Sequence, residues 1–210
     1  MLSTVDYASL LQYSPRGNLD ISATSRKVKN IIKAGRIGTE NFTTRISEIF
    51  IQYQVQLTPF LNKEVTLVPT PRSSPIREGD MWPALEICKM LSLMGGGTVA
   101  TCLARHTAIR KSSLYFHGDD RPSIDEQYDS MSVEDYVPTA NITLVDDVLT
   151  LGRTTIAAAS RLAEKFPLAT IRVFAMIKTK GLTTDIETIR NVEVGTITYN
   201  DYSKKCSRNP

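Results

Sequence analysis

The sequence is short of cysteine, histidine and long apolar runs, and each shortage removes a class of protein. Its three cysteines, Cys88, Cys102 and Cys206, lie far apart in 210 residues, and none forms a C-x-x-C pair. That excludes a zinc ribbon and offers no disulfide framework. Cys88 and Cys102 sit in apolar runs and read as reduced core thiols, as expected of a cytoplasmic chain. The two histidines, His106 and His117, have no metal-ligand spacing and read as loop residues. No apolar run approaches the ~20 residues that span a bilayer. The opening MLSTVDYASLLQYSPRGNLD has neither the basic start nor the apolar core of a signal peptide. Excess charge of one sign is missing too: the net charge is +3, whereas a dedicated nucleic-acid binder concentrates a basic face. A G-x-x-x-x-G-K-S/T phosphate loop is absent, because GGGTVATC carries no lysine. There is no internal repeat and no low-complexity segment.

What remains is an ordinary globular composition, 41% hydrophobic and 22% charged, in a length that suits one α/β domain or a domain with a small appendage. The first twenty residues show no clear periodicity. Ile21, Val28, Ile31 and Ile32 predict an amphipathic helix that stops at Gly35. Phe42, Ile46, Ile49, Phe50 and Tyr53 share one face of a second helix. Val65–Val68 is a β-branched run closed by Pro69 and reads as a strand. Ala84, Cys88, Leu91 and Met94 mark a third helix, ended by Gly95–Gly97, and Thr98–Leu103 reads as a strand. Residues 104–140 are long, polar and irregular, which is the mark of a lid or binding loop. Asn141–Val145, Thr170–Ile177 and Val192–Tyr199 read as strands, Ile156, Ala159, Ala163 and Phe166 as a helix face, and Thr184–Arg190 as a helical turn. Strands alternating with helices predict an α/β fold with a mostly parallel sheet flanked by helices.

The most informative stretch is NITLVDDVLTLGRTTIAAA, residues 141–159. An apolar strand ends in two adjacent carboxylates, Asp146 and Asp147, followed by the turn Thr150–Thr154. Gly152 lets that turn close and present backbone N–H groups. Thr150 and Thr154 add hydroxyls, Leu151 and Arg153 add backbone amides, and the helix starting near Thr154 adds its positive end. Together they form a cradle for a phosphate. A carboxylate pair one sugar ring away accepts hydrogen bonds from vicinal hydroxyls, at roughly 1.5–3 kcal/mol each. Acids and cradle therefore address two parts of one ligand, a ribose 5-phosphate. A phosphorylation receiver domain would carry its acid pair on the first strand, not two-thirds along the chain.

On these residues the sequence resembles the type I phosphoribosyltransferases, whose signature is an apolar strand, two acids, two apolar residues, Thr, any residue, Gly, any residue and Thr or Ser. LVDDVLTLGRT follows that order over about eleven contiguous positions. Leu151 stands where the family often has a small or hydroxylated residue, and Arg153 where it often has Ala or Gly. The resemblance implies the fold of that family, with a small hood and a long mobile loop. It also implies binding of 5-phosphoribosyl 1-pyrophosphate with Mg²⁺, and transfer of the phosphoribosyl group to a nitrogen nucleophile such as a nucleobase. Asp146 and Asp147 would hold the ribose hydroxyls, Asp147 would also stabilise the cationic sugar, and Thr150, Leu151, Gly152, Arg153 and Thr154 would hold the 5′-phosphate. Mg²⁺ would be bound through ligand oxygens, with Asp146 as the candidate protein ligand.

A second anion site is expected in TLVPTPRSSPIREG, residues 66–79, at Arg72 and Ser73, with Ser74 and Arg77 nearby. The V-P-T-P-R start is similar to the competence-associated, amidophosphoribosyltransferase-like branch of the family, without that branch's zinc ribbon. The lid would be residues 104–140, with a basic front at Arg105, His106, Arg110 and Lys111 and an acidic rear from Asp119 to Asp135. Arg110 and Lys111, followed by Ser112 and Ser113, are the candidate catalytic tip, and Arg121 is a further candidate. The expected organisation is a helical N-terminal segment or hood at 1–60, a core at 61–200 and a tail at 201–210. Lys178 and Lys180 occupy the place where family members contact the base, although a surface lysine is the simpler reading. Dimers are common in the family. Two other readings stay open: a non-catalytic sensor of phosphoribosyl pyrophosphate or nucleotides, and a competence-type accessory module of DNA metabolism.

Overall fold

The computed structural model describes residues 1–110, 122–136, 138–181 and 184–210. Within them the chain forms a seven-stranded mixed sheet with helices on both faces. The first strand, β1 (Thr4–Tyr13), is followed by α1 (Asp20–Lys33), α2 (Glu40–Gln52) and the short α3 (Gln54–Leu57). Then come β2 (Val65–Pro69), α4 (Pro83–Leu93), β3 (Thr98–Val99) and β4 (Leu103–Arg105). The second half runs α5 (Ile124–Asp129), β5 (Met131–Val133), β6 (Asn141–Leu149), α6 (Arg153–Lys165), β7 (Thr170–Thr179), β8 (Arg190–Asn200) and β9 (Lys205–Asn209). The main sheet has the order β3-β2-β6-β7-β1-β8-β9, and β4 pairs with β5 in a separate two-stranded piece. The pairs from β3 through to β1 are parallel, while β8 and β9 add an antiparallel edge.

Two apolar clusters cover the two faces. On one face α6 packs Ile156, Ala157, Ala158, Ala159 and Leu162 against Leu144, Val173, Ala175 and Ile197. On the other, α1, α2, α3 and α4 bring Ile32, Ile46, Ile49, Leu57, Ile87 and Leu91 onto Leu10, Leu67, Val145 and Met176. The small side chains of α6 let it lie close to the sheet, and Pro83 opens α4 at the position where its missing N–H costs nothing.

Several sequence-based boundaries change. β1 lies inside the stretch expected to lack order and to form a helical segment: it pairs in parallel with β7 and in antiparallel fashion with β8. Its period-two signal is masked because Tyr7 through Leu11 are buried on both faces, polar Ser9 included. Residues 1–60 thus contribute a strand to the core, and α1–α3 pack on its sheet. The expected strand Thr98–Leu103 divides: Thr98 and Val99 pair with β2, while Leu103 belongs to β4. The long 104–140 segment is not irregular throughout, since it contains α5 and β5. The expected tail at 201–210 includes β9, paired with β8 from Lys205 to Asn209. No helical turn forms at residues 184–190. Among the described residues no helix is long and apolar enough to cross a membrane.

Candidate functional site

β6 does not stop at the acids. It continues to Leu149, with Asp146 opposite Ala175 and Val148 opposite Ile177 of β7. The acids are therefore fixed by a sheet ladder rather than carried on a loop. Each turns one carboxylate oxygen to the next backbone amide: Asp147 N–H donates to Asp146 Oδ1 at 2.9 Å and Val148 N–H to Asp147 Oδ1 at 2.8 Å. The other Asp147 oxygen faces Lys33 Nζ of α1 at 3.4 Å. Burial pushes the Asp146 carboxyl well above its ordinary value, and the Asp147 charge pushes it further, against the pull of Lys33. One acid of the pair thus resists ionisation while the other is held in an ion pair.

The place of the acids in the sheet explains why they are accessible at all. From β2 the chain crosses by α4 to β3 on one side in the strand order, and from β6 it crosses by α6 to β7 on the other. The two helices pack on opposite faces, so the carboxyl ends of β2 and β6 flank a topological switch point, where open α/β sheets have the crevice that binds ligands. The rung Pro69–Val145 is the last in the β2–β6 ladder. The loop after β2 therefore starts level with Asp146.

The turn after β6 has the geometry that its sequence predicts. Gly152 is the N-cap of α6 with φ of 87°, and it offers no capping side chain. A Cβ at this residue would lie 2.6 Å from Ile197 Cγ2, so glycine is required both for the backbone angle and for the space. The helix ladder begins with Ile156 N–H donating to Gly152 O at 2.8 Å, which leaves the amides of the first turn beyond the reach of helix carbonyls. Thr150 and Leu151 are exposed, and Arg153 and Thr154 are half-buried. The Arg153 charge is felt at Cys206 on β9, where burial dominates and pushes the thiol up to about 11.

The loop after β2 is tied to itself and to the chain after β4. Thr70 N–H donates to Val145 O at 2.8 Å, and Trp82 Nε1–H donates to Thr70 O at the same distance. Among the described residues the Thr70 hydroxyl oxygen is buried without a hydrogen-bond partner, one residue past the end of β2. Arg72 pairs with Asp80 at 3.2 Å, and the Ser73 carbonyl accepts from Ile109 N–H at 2.8 Å. The two segments expected to handle the second anion are thus in direct contact. Arg105, expected in the basic front, is a buried bolt: its guanidinium donates to Arg72 O, Ser130 Oγ and Gln127 Oε1. Burial lowers it to about 10. The Ser123 amide, and more weakly the Arg110 charge, hold the Glu126 carboxyl below its ordinary value, and His106 N–H donates to Ser130 O at 3.0 Å, so front and rear of the long segment do meet. Lys111, Ser112, Ser113, His117 and Arg121 lie outside the described residues. His106 Nδ1 lies 2.9 Å from the Thr107 hydroxyl, consistent with an ordinary loop residue.

Lys178 is not a surface lysine. Its side chain is 1% exposed and pairs with Glu193 at 3.1 Å, while Nζ donates to the Asn191 side chain and carbonyl. Burial lowers the amine to about 8, against the attraction of Glu193. Burial raises the Glu193 carboxyl, but the Tyr7 hydroxyl, Lys178 and Arg208 more than reverse that and hold it below its ordinary value. Neither Lys33 nor Arg208 carried any local motif, and their approach to the site is set by α1 and β9 packing. A separate open groove, lined by His106, Ser132, Arg161, Glu164 and Lys165 among others, shares no residue with the acids or the turn. Among the described residues no cluster of three or more metal-binding side chains occurs. No family model and no curated protein matches this sequence.

Proposed function

We propose that this chain is a type I phosphoribosyltransferase in fold and in chemistry, binding 5-phosphoribosyl 1-pyrophosphate and passing the phosphoribosyl group to a nitrogen nucleophile such as a nucleobase. The observation that carries the reading is the pairing of two acids with an uncapped, glycine-turned helix start at the switch point of a parallel sheet. Either feature alone is common. Together they offer hydrogen-bond acceptors for a diol and donors for a phosphate monoester within one strand–turn–helix unit.

In this reading the amides of residues 150–154 fix the 5′-phosphate and so place the anomeric carbon. Asp146 and Asp147 take the ribose hydroxyls, and Asp147 offsets positive charge as the sugar becomes oxocarbenium-like. The carbon–oxygen bond to pyrophosphate breaks as the carbon–nitrogen bond forms. Arg72, Ser73 and the Thr70 hydroxyl would take the leaving group from the loop after β2, and Arg110 and Lys111 would assist from the segment after β4. Mg²⁺ fits the donor set: two adjacent carboxylates suit an ion that takes one or two protein oxygens and keeps its other sites for substrate and water. When bound, it would neutralise charge on the pyrophosphate oxygens. The setting is cytoplasmic nucleotide metabolism, with a homodimer as the working assembly.

Titration calorimetry with ribose 5-phosphate and with phosphoribosyl pyrophosphate, with and without Mg²⁺, tests the binding half. Uptake of neither ligand would sink the proposal. Pyrophosphate release with a panel of nucleobases tests the transfer half. Binding without release would move the protein to the sensor class.

A further inference from the structure

The turn that would hold the phosphate is braced from outside the strand–turn–helix unit. Arg208 lies on β9, directly opposite Ile197 of β8. Ile197 is the side chain that fills the space beneath Gly152. Arg208 reaches the same turn from the next strand. Its Nη1 lies 3.5 Å from Leu149 O and 3.3 Å from Thr150 O, and its Nη2 donates to Thr179 O at 2.6 Å. The Thr179 hydroxyl also faces Leu149 O, at 3.5 Å. Glu193 holds the guanidinium in place, 3.6 Å from Nε, and is itself fixed by Tyr7 and Lys178.

A trans peptide points its C=O and the following N–H in opposite directions. With the Leu149 and Thr150 carbonyls drawn toward Arg208 on the β7–β9 side, the N–H groups of Thr150 and Leu151 face the other way. That is the side on which β2 lies in the strand order, and on which the crevice opens. The guanidinium fork does what a lysine could do only in part, because it spans carbonyls from two different segments at once.

We propose that Arg208 is a positioning residue that holds the 149–152 turn with the Thr150 and Leu151 amides facing the crevice, and so sets the affinity of the turn for a phosphate monoester. The affinity part rests on the function proposed above; the conformational part does not. The β8–β9 edge is then a brace for the anion site rather than a simple extension of the sheet. Arg208 touches no ligand in this role and acts through the backbone.

The test uses the full chain labelled with ¹⁵N, as wild type, Arg208→Gln and Arg208→Lys. In the free protein, Arg208→Gln should shift the amide signals of Thr150, Leu151 and Gly152 and speed their hydrogen exchange. Ribose 5-phosphate affinity should fall by at least about tenfold, the loss expected for a charge-assisted bond. Arg208→Lys should recover part of both effects, and it carries the comparison if Arg208→Gln does not fold. Unchanged Thr150 and Leu151 signals overturn the inference, and so does a moved turn with undiminished affinity. If wild-type protein takes up no ribose 5-phosphate, the proposed function fails. The free-protein signals then still decide whether Arg208 holds the turn.

Discussion

The turn after β6 and the loop after β2 leave neighbouring parallel strands into one crevice, yet they are held in different ways. The first runs directly from the acids of β6 into α6, closed by a single glycine and pinned from below by Ile197. The second turns Arg72 toward its own Asp80, and Arg105 of β4 is buried against Arg72 O, Gln127 and Ser130. One is a preformed set of donors, while the other must break or share contacts before it can take an anion.

The sharpest way to break this contrast is to place the same substitution in both. Gly152→Ala should cost on the order of 3 kcal/mol, because a Cβ there meets both a positive φ of 87° and Ile197 at 2.6 Å. Gly79, in the loop after β2, also has a positive φ, 81°, but a Cβ there meets nothing within 4 Å. Gly79→Ala should cost about 1 kcal/mol, from backbone conformation alone. Urea denaturation measures both. Equal losses would mean that the turn after β6 is no more tightly specified than the loop.

The next largest effect is on ligand binding. Asp146→Asn with Asp147→Asn should weaken the phosphoribosyl donor by at least about tenfold, at about 1.5–3 kcal/mol for a charged hydrogen bond to Asp147. Calorimetry reads it, and an unchanged affinity would remove both acids from the diol site.

Contiguity is also why this strand, turn and helix could be read from sequence. Strand, acids, turn and helix lie within LVDDVLTLGRT, and each is governed by neighbours in the chain. Whatever depends on long-range pairing was hidden. β1 carries Ser9 and Gln12 among its buried residues, so no alternation marks it, and only its place between β7 and β8 makes it a strand. Lys33 reaches Asp147 because α1 packs over β6, and Lys178 is drawn inside by Glu193 of another strand. Arg105 looked like a ligand-facing cation for the same reason that Lys178 looked like a surface one: charge is visible in a sequence, and burial is not.

Asp146 gives a smaller effect with a definite sign. Its folded carboxyl is raised by burial and by the Asp147 charge, so the unfolded chain loses that proton first as pH rises. Wild-type stability therefore falls as pH climbs from the ordinary aspartate value of about 4 toward the raised folded value. Asp146→Asn keeps the oxygen that accepts from Asp147 N–H at 2.9 Å and removes the buried charge. Its melting temperature should exceed that of wild type at pH 7, with the gap closing near pH 4. A gap of constant size would mean that Asp146 ionises as easily folded as unfolded.

The smallest effect lies in the self-paired loop. Arg72 and Asp80 are each about one-third exposed, 3.2 Å apart, so their ion pair contributes between roughly 0 and 1 kcal/mol to stability. Asp80→Asn should hardly move the denaturation midpoint, but it frees a guanidinium at the mouth of the crevice. Pyrophosphate affinity should then rise a few-fold, while Arg72→Gln lowers it. The opposed signs matter more than the sizes: both variants delete the same ion pair, so a purely structural loop would respond to them alike. Matching changes in pyrophosphate affinity would take the second anion site away from Arg72.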